Sequence, residues 1–466
     1  MSRTLRLLVL LPASLAGLLT VRAIVHRLRP VRLRPIGEST PPIGPAQVRA
    51  GMRRLVLSDL HLGAGDRLDD FTADDALTAL LHYYTAERVP TELILAGDTF
   101  EFLQVCLPDL SDLEWSPRAA ARRLDAILQA HAGPVAALRA FLAQGDNQVT
   151  VIVGNHDFEL HYASAKQTLR QALGLAPDDP RLRFGIQYEG DGIYLVHGNQ
   201  YDRWNRFVYF DGICEPFEVV LGTRLIREAI NHLEDEPSAV ATLIDNVKPL
   251  SALLWYALSL PGLRDRATRR LAVRGLVLLC QVLLRMQTYT MANDAPSHTS
   301  TQTRLHWKPA FRQVTMVMTV LARVAGRQRA AAGNHQRTAF QREAEHQLHH
   351  SMRAFRNRTI RGMVHVARDP RRRNISLFVC GHTHLAQIVP IARGQTYVNT
   401  GTWTDVIADM AASRRHEQRF PFLEITYPAP GTPPVWQLLV WENANQRPQP
   451  WSAGQESMFA EVEYPV

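Results

Sequence analysis

The chain has 466 residues, 46% of them hydrophobic and 21% charged, with a formal net charge of +8. That balance excludes a disordered or collagen-like chain, and the length allows a large core with more than one structural unit. The positive charge is almost wholly arginine, since Lys166, Lys248 and Lys308 are the only lysines; it favours phosphate-bearing partners without choosing among nucleic acid, nucleotides and anionic lipid.

Near the N-terminus, Arg3 and Arg6 precede an apolar run over residues 7–19 that Pro12 interrupts, and Arg22, Arg27, Arg29, Arg32 and Arg34 follow. The run is shorter than the ~20 residues that span a bilayer. A signal core, a short anchor, an interfacial helix and a helix packed on the domain all stay open. As an anchor, the arginines on its C-terminal side would keep the body cytoplasmic, with export not excluded. Residues 35–45, rich in Pro, Gly, Ser and Thr, read as a linker that ends an N-terminal segment over residues 1–50.

Residues 51–213 read as the first half of a core. Strands are expected at residues 54–58, 92–96, 149–153 and 193–196, and helices at 71–88, 119–142 and 162–173. Strands alternating with helices argue for a largely parallel sheet. Residues 214–370 show helical periodicity and no convincing strand, with helices expected at 217–233, 238–260, 267–286, 311–325 and 337–356 and a loop at 293–303. This is a large all-α insertion. Its stretch 271–286 is apolar almost all round, as in a helix that is buried or faces lipid. His346, His349 and His350 read as a solvated helix face. Residues 371–466 form the second half of the core, with strands expected at 375–380, 396–399, 422–427 and 436–441 that close a second sheet against the first. Cys106, Cys214, Cys280 and Cys380 are scattered and form no CxxC pair, so neither a disulfide framework nor a thiolate metal site is expected.

Five apolar segments end in the same way, with Asp, Asn or His beside a glycine. Asp59 and His61 follow the first, Asp98 the second, Asn155-His156-Asp157 the third, His197 the fourth, and His382 and His384 the fifth. In α/β folds such strand ends converge on one edge of the sheet. Asp59, His61, Asp98, Asn155, His197, His382 and His384 offer hard oxygen and borderline nitrogen donors, a set suited to two divalent metal ions, Mn, Fe or Zn. Two such ions clamp the attacking and leaving oxygens of an in-line displacement and lower the pKa of a bridging water towards ~7. Asp98, alone on its strand end, is the candidate bridge. His156 is the candidate catalytic acid, with Asp157 placed to orient it by adjacency. Glu101, Asn199, Asp202, Arg203 and Trp204 lie just beyond ligands and are candidates for lining a substrate pocket.

Asp59-x-His61, Gly97-Asp98, Gly154-Asn155-His156-Asp157, His197-Gly198 and Gly381-His382-x-His384 together resemble the calcineurin-like metallophosphoesterases. The resemblance covers residues 53–201 and 374–441. It implies a four-layer α/β sandwich of two mixed sheets flanked by helices. It also implies that Asp59, His61, Asp98 and His384 hold one metal, that Asp98, Asn155, His197 and His382 hold the other, and that His156 is catalytic. Within that family, Ser58-Asp59-Leu60-His61-Leu62 and Gly97-Asp98-Thr99-Phe100-Glu101 look like the UDP-2,3-diacylglucosamine hydrolases. Two departures stand out: His156 replaces the arginine typical of those hydrolases, and the insertion is longer. The expected function is metal-dependent hydrolysis of a phosphomonoester, phosphodiester or pyrophosphate, nucleotide- or lipid-linked, at or near a membrane surface. A lipid pyrophosphatase, a repair-type nuclease and, last, a non-catalytic interaction module are the alternatives; nucleic acid ranks low because no basic–aromatic array is apparent.

Overall fold

The computed structural model describes residues 30–45, 51–234, 274–275, 277–278, 281–282, 285–292, 357–404, 420–429 and 431–452. The chain forms two compact units: a larger one of Glu38–Asp202, Arg356–Val406 and Arg414–Val466, and a smaller one of Met1–Gly37, Arg203–Phe355 and Ile407–Ser413. The strands in chain order are β1 (Val31–Ser39), β2 (Arg53–Leu57), β3 (Thr91–Ala96), β4 (Gln148–Ile152), β5 (Leu182–Gly185), β6 (Tyr188–Gly190), β7 (Ile193–Leu195), β8 (Gly212–Glu215), β9 (Tyr289–Met291), β10 (Leu377–Cys380), β11 (Gln387–Ala392), β12 (Gln395–Asn399), β13 (Phe420–Thr426), β14 (Val435–Glu442) and β15 (Arg447–Pro450). The helices that flank the first sheet's connections are α1 (Asp74–Ala86), α2 (Pro117–Ala130), α3 (Ala132–Ala143) and α4 (Ala163–Ala172).

In the larger unit, seven strands run in the order β15-β14-β13-β2-β3-β4-β5, and five run β11-β12-β10-β7-β6. The strands β2, β3, β4 and β5 are mutually parallel, while β13, β14 and β15 extend the sheet antiparallel. Both sheets are therefore mixed, as expected. Every residue of β2 and β3 is buried, which is what strands covered on both faces require. Val56, Ile94 and Ile152 of the first sheet pack on Leu195, Val379 and Val398 of the second in one core. Each such side chain contributes about 1.5–3 kcal/mol by leaving water.

The outer faces are closed by helices. On α1, Ala76, Leu77, Leu80, Leu81 and Tyr84 form a buried stripe at helical spacing, with Asp74 and Asp75 at the positive end of the helix dipole. Tyr84 reaches the first sheet edge-on to Phe422, with ring centroids 5.9 Å apart. On the second sheet, Ile360, Met363 and Ala367 of the helical residues 357–367 pack against Phe378 and Tyr397. The single helix expected over residues 119–142 is two helices bent by 92° at His131. Ser116 caps α2 by accepting from the Ala119 amide at 3.1 Å, with Pro117 at its first position.

Several expectations are corrected. The first half of the expected linker belongs to β1, a nine-residue strand. Its register with β9 pairs Val31, Arg32 and Leu33 with Tyr289, Thr290 and Met291. So the block expected to lack strands contains one, and β8-β1-β9 form a small sheet around Leu33, Cys214 and Tyr289. The last two expected strands do not join the second sheet. Leu423 pairs with Val56, which places β13 and β14 beside β2 in the first. Residues 221–234 are helical, including a π-helical stretch Ile226–Ile230. The helices expected at 238–260, 311–325 and 337–356, the loop at 293–303 and the apolar run 7–19 lie outside the described residues. Among the described residues no single helix is long and apolar enough to cross a membrane.

Candidate metal centre

Each candidate ligand sits just past the C-terminal end of a central strand: Asp59 and His61 after β2, Asp98 after β3, Asn155 after β4, His197 after β7, and His382 and His384 after β10. Parallel pairing of β2 with β3 and of β7 with β10 carries these ends to matching edges of the two sheets. Five of the side chains sit on a backbone that L-residues rarely adopt. The φ angles are 52° at Asp59, 53° at His61, 51° at Asp98, 70° at His382 and 59° at His384. Such conformations cost of order 1–3 kcal/mol each and persist where surrounding structure holds them for a purpose.

The surroundings do hold them. Both carboxylate oxygens of Asp59 accept from the His382 amide, at 3.0 and 2.9 Å, and Ser58 Oγ donates to Asp59 Oδ2 at 2.5 Å. The His61 amide donates to the Asp98 carbonyl at 3.0 Å, and the His156 amide to Asp98 Oδ1 at 2.8 Å. Gly97, at φ 91°, leaves room for the His197 ring that a Cβ would strike, and a Cβ at Gly381 would strike the Asp59 carboxylate.

Three groups of potential ligand atoms result among the described residues, one of them His61, Glu101 and His156, and the other two share no residue. Of those two, Asp59, His61 and His384 form one and Asp98, His197 and His382 the other, all buried, with ligand atoms in each group within 4.8 Å of one another. In the first, His384 Nε2 lies 3.2 Å from His61 Nε2 and 3.4 Å from Asp59 Oδ1. In the second, His197 Nε2 lies 2.9 Å from Asp98 Oδ2 without making a hydrogen bond. The His197 and His382 rings are 5.3 Å apart. Asn155, one residue before His156, is 2% exposed, and its Oδ1 has no hydrogen-bond partner.

Electrostatics favour positive charge here. Burial would lower the His197 pKa, but the Asp98 carboxylate outweighs it and raises the imidazole to about 9. Burial would raise Asp98 in turn, yet His197 and then His156 hold it well below the usual carboxylate range. A pocket that draws a proton onto a buried imidazole has a field that a cation satisfies equally.

His156 is aimed by a residue that sequence reasoning placed only in a pocket lining. Glu101 Oε2 accepts from His156 Nδ1 at 2.5 Å and from His61 Nδ1 at 2.7 Å. The two rings meet edge to face, centroids 4.5 Å apart. Burial opposes the charge on Glu101, but His156 and His61 hold its pKa down at about 2. Asp157 does not orient His156 in this way. Its oxygens accept from the Gly154 amide at 2.5 Å and the Thr99 amide at 2.8 Å, tying two strand-end loops together. Burial, then the neighbouring Asp98, raise its pKa to about 7.

Residues 52–244 match the family model for calcineurin-like phosphoesterases. The match takes in Asp59, His61, Asp98, Asn155, His156 and His197; His382 and His384 lie beyond it and join through the fold alone. No curated protein is matched. Among solved structures, a dimetal phosphatase from Danio rerio is similar at 13% identity and a TM-score of 0.27, covering 84% of this chain and 96% of its own. At that TM-score the likeness has no bearing on the site.

The donor set fits divalent cations. Asn155 Oδ1 and His197 Nε2 are buried atoms lacking hydrogen bonds, and the Nε2 atoms of His61 and His384 face each other at 3.2 Å. Glu101, expected only as a pocket-lining candidate, had one available signal: an acid three positions after Asp98, directly before a buried Phe-Leu pair. Of the other pocket candidates, Asp202 lies 3.4 Å from His382 Nε2.

Proposed function

We propose that this chain is a metal-dependent phosphoesterase whose site holds two divalent cations. Asp59, His61 and His384 hold one, Asn155, His197 and His382 the other, and Asp98 stands between them. The convergence of Asp59-His61-His384 and Asp98-His197-His382 at adjoining strand ends carries the reading. When bound, such a pair stabilises charge on phosphoryl oxygens and makes water a nucleophile near neutral pH.

The protein's own groups do the rest. His61 Nδ1 bonds Glu101 and His197 Nδ1 bonds the Ala96 carbonyl at 3.1 Å, so both imidazoles turn Nε2 inward with its lone pair. His156 Nδ1 is likewise committed to Glu101, and Nε2 is the nitrogen we assign to deliver a proton to the leaving oxygen. The ester is a phosphomonoester, phosphodiester or pyrophosphate. The apolar run 7–19 and stretch 271–286 favour a lipid-linked one, taken at the cytoplasmic face of a membrane.

Hydrolysis of an aryl phosphodiester with added Mn²⁺ tests the reading. His156→Ala should lower kcat by about 10²–10⁴-fold, and Asp98→Asn should abolish Mn²⁺-stimulated turnover. Equal rates in wild type and both variants would exclude it. Nucleotide, sugar-nucleotide and lipid phosphates in the same assay then rank the substrates.

A further inference from the structure

The chain leaves the larger unit at Asp202 and re-enters it at Arg356. Asp202 ends the short helical turn Asn199–Tyr201, and its amide donates to the Asn199 carbonyl at 2.9 Å. Arg358 lies in the first described turn of the helix over residues 357–367. The two crossings touch. Asp202 Oδ1 accepts from Arg358 Nη1 at 2.5 Å, and the Tyr201 ring occupies the space where a Cβ at Gly362 would lie. The other Asp202 oxygen, Oδ2, stands 3.4 Å from His382 Nε2, at the long end of hydrogen-bond range. The Asp202 carboxylate is 4% exposed and the Arg358 side chain 31%.

His61 and His197 each commit one ring nitrogen to an acceptor, Glu101 and the Ala96 carbonyl. Asp202 offers the same service to His382. An acceptor on one ring nitrogen fixes the tautomer and makes the other nitrogen a better donor to a cation. A carboxylate this buried carries its charge poorly unless paired, and Arg358 supplies the pair.

We propose that Asp202 is a positioning residue for His382, with Arg358 holding Asp202 in place, so that the two chain crossings lock one metal ligand. The inference rests on the metal-dependent reading above. It places Asp202 outside the ligands themselves and ties the affinity of one cation, not both, to the crossing.

The full-length protein, stripped of metal and titrated calorimetrically with Mn²⁺, tests it. Wild type should bind two ions. Asp202→Asn, which keeps the shape, should weaken one of them by about 10- to 100-fold and leave the other unchanged. Arg358→Gln should weaken the same ion, and Arg358→Lys should restore part of the loss. The thermal midpoint of metal-free Asp202→Asn, whose neutral amide needs no charged partner, should match wild type, which a merely structural role would not give. Both ions bound by Asp202→Asn and Arg358→Gln with wild-type affinity would overturn the inference alone. Weakening of both ions together with a fallen metal-free midpoint would overturn it in favour of a structural role. A wild type that binds no ion would overturn the metal-dependent reading as well.

Discussion

Glu101 uses a single oxygen to bond two imidazoles, and that geometry sets a specific expectation. Glu101→Gln keeps the shape but places an amide where an ionised acceptor stood. With the amide nitrogen in the place of Oε2, both ring N–H groups face a donor; with the nitrogen in the place of Oε1, it faces the Leu103 amide and both rings keep only a neutral acceptor. We expect kcat to fall by about 10- to 100-fold. Stopped assays on an aryl phosphodiester read this directly, and an unchanged kcat would remove Glu101 from the account. The candidate ligands were legible as residues because their chemistry restricts them: Asp, Asn or His after an apolar run, next to glycine. Glu101 was not, because an acid three positions on could point anywhere until the loop was folded. Asp157 shows the converse, since adjacency to His156 suggested a contact that the backbone directs instead to the Gly154 and Thr99 amides.

At the scale of elements, the buried central strands were readable and the edges were not. β2, β3 and β4 are apolar runs whose burial on both faces leaves little alternative. β1 contains Pro35 and has one buried residue inside a mostly exposed strand, so it looked like a linker. β6 and β9 have three residues each, too few to show a period. The assignment of β13 to the first sheet depends on its pairing with β2, more than 360 residues away in sequence, which no local pattern encodes. In the small sheet's unit, Glu218 pins the approach to β8 by accepting from the Val208 amide at 2.6 Å and the Tyr209 amide at 3.1 Å. Burial raises its pKa from 4.5 to about 7 against those two bonds. The folded protein thus keeps a proton that the unfolded chain releases, so stability contributed below pH 4.5 is lost as pH rises through 7. The loss amounts to about 3 kcal/mol. Glu218→Gln cannot ionise, so its stability relative to wild type should climb between pH 5 and pH 8. Urea unfolding at both values checks the sign; a constant difference would contradict it.

Across the whole molecule, two sheets, five strand ends and a chain that departs at Asp202 and returns at Arg356 serve one small volume. The same volume holds the strained backbones, the carboxylates Asp59, Asp98 and Glu101, and the atoms Asn155 Oδ1 and His197 Nε2 that lack hydrogen bonds. A cation held by those groups in the folded state alone would add to stability, which makes cation binding and stability a single equilibrium. Anomalous diffraction from crystals grown with Mn²⁺ tests this most directly. Two peaks should appear roughly 3.5–4 Å apart, one beside Asp59, His61 and His384, the other beside Asn155, His197 and His382, with Asp98 touching both. A single peak, or none, among these seven side chains would contradict the account.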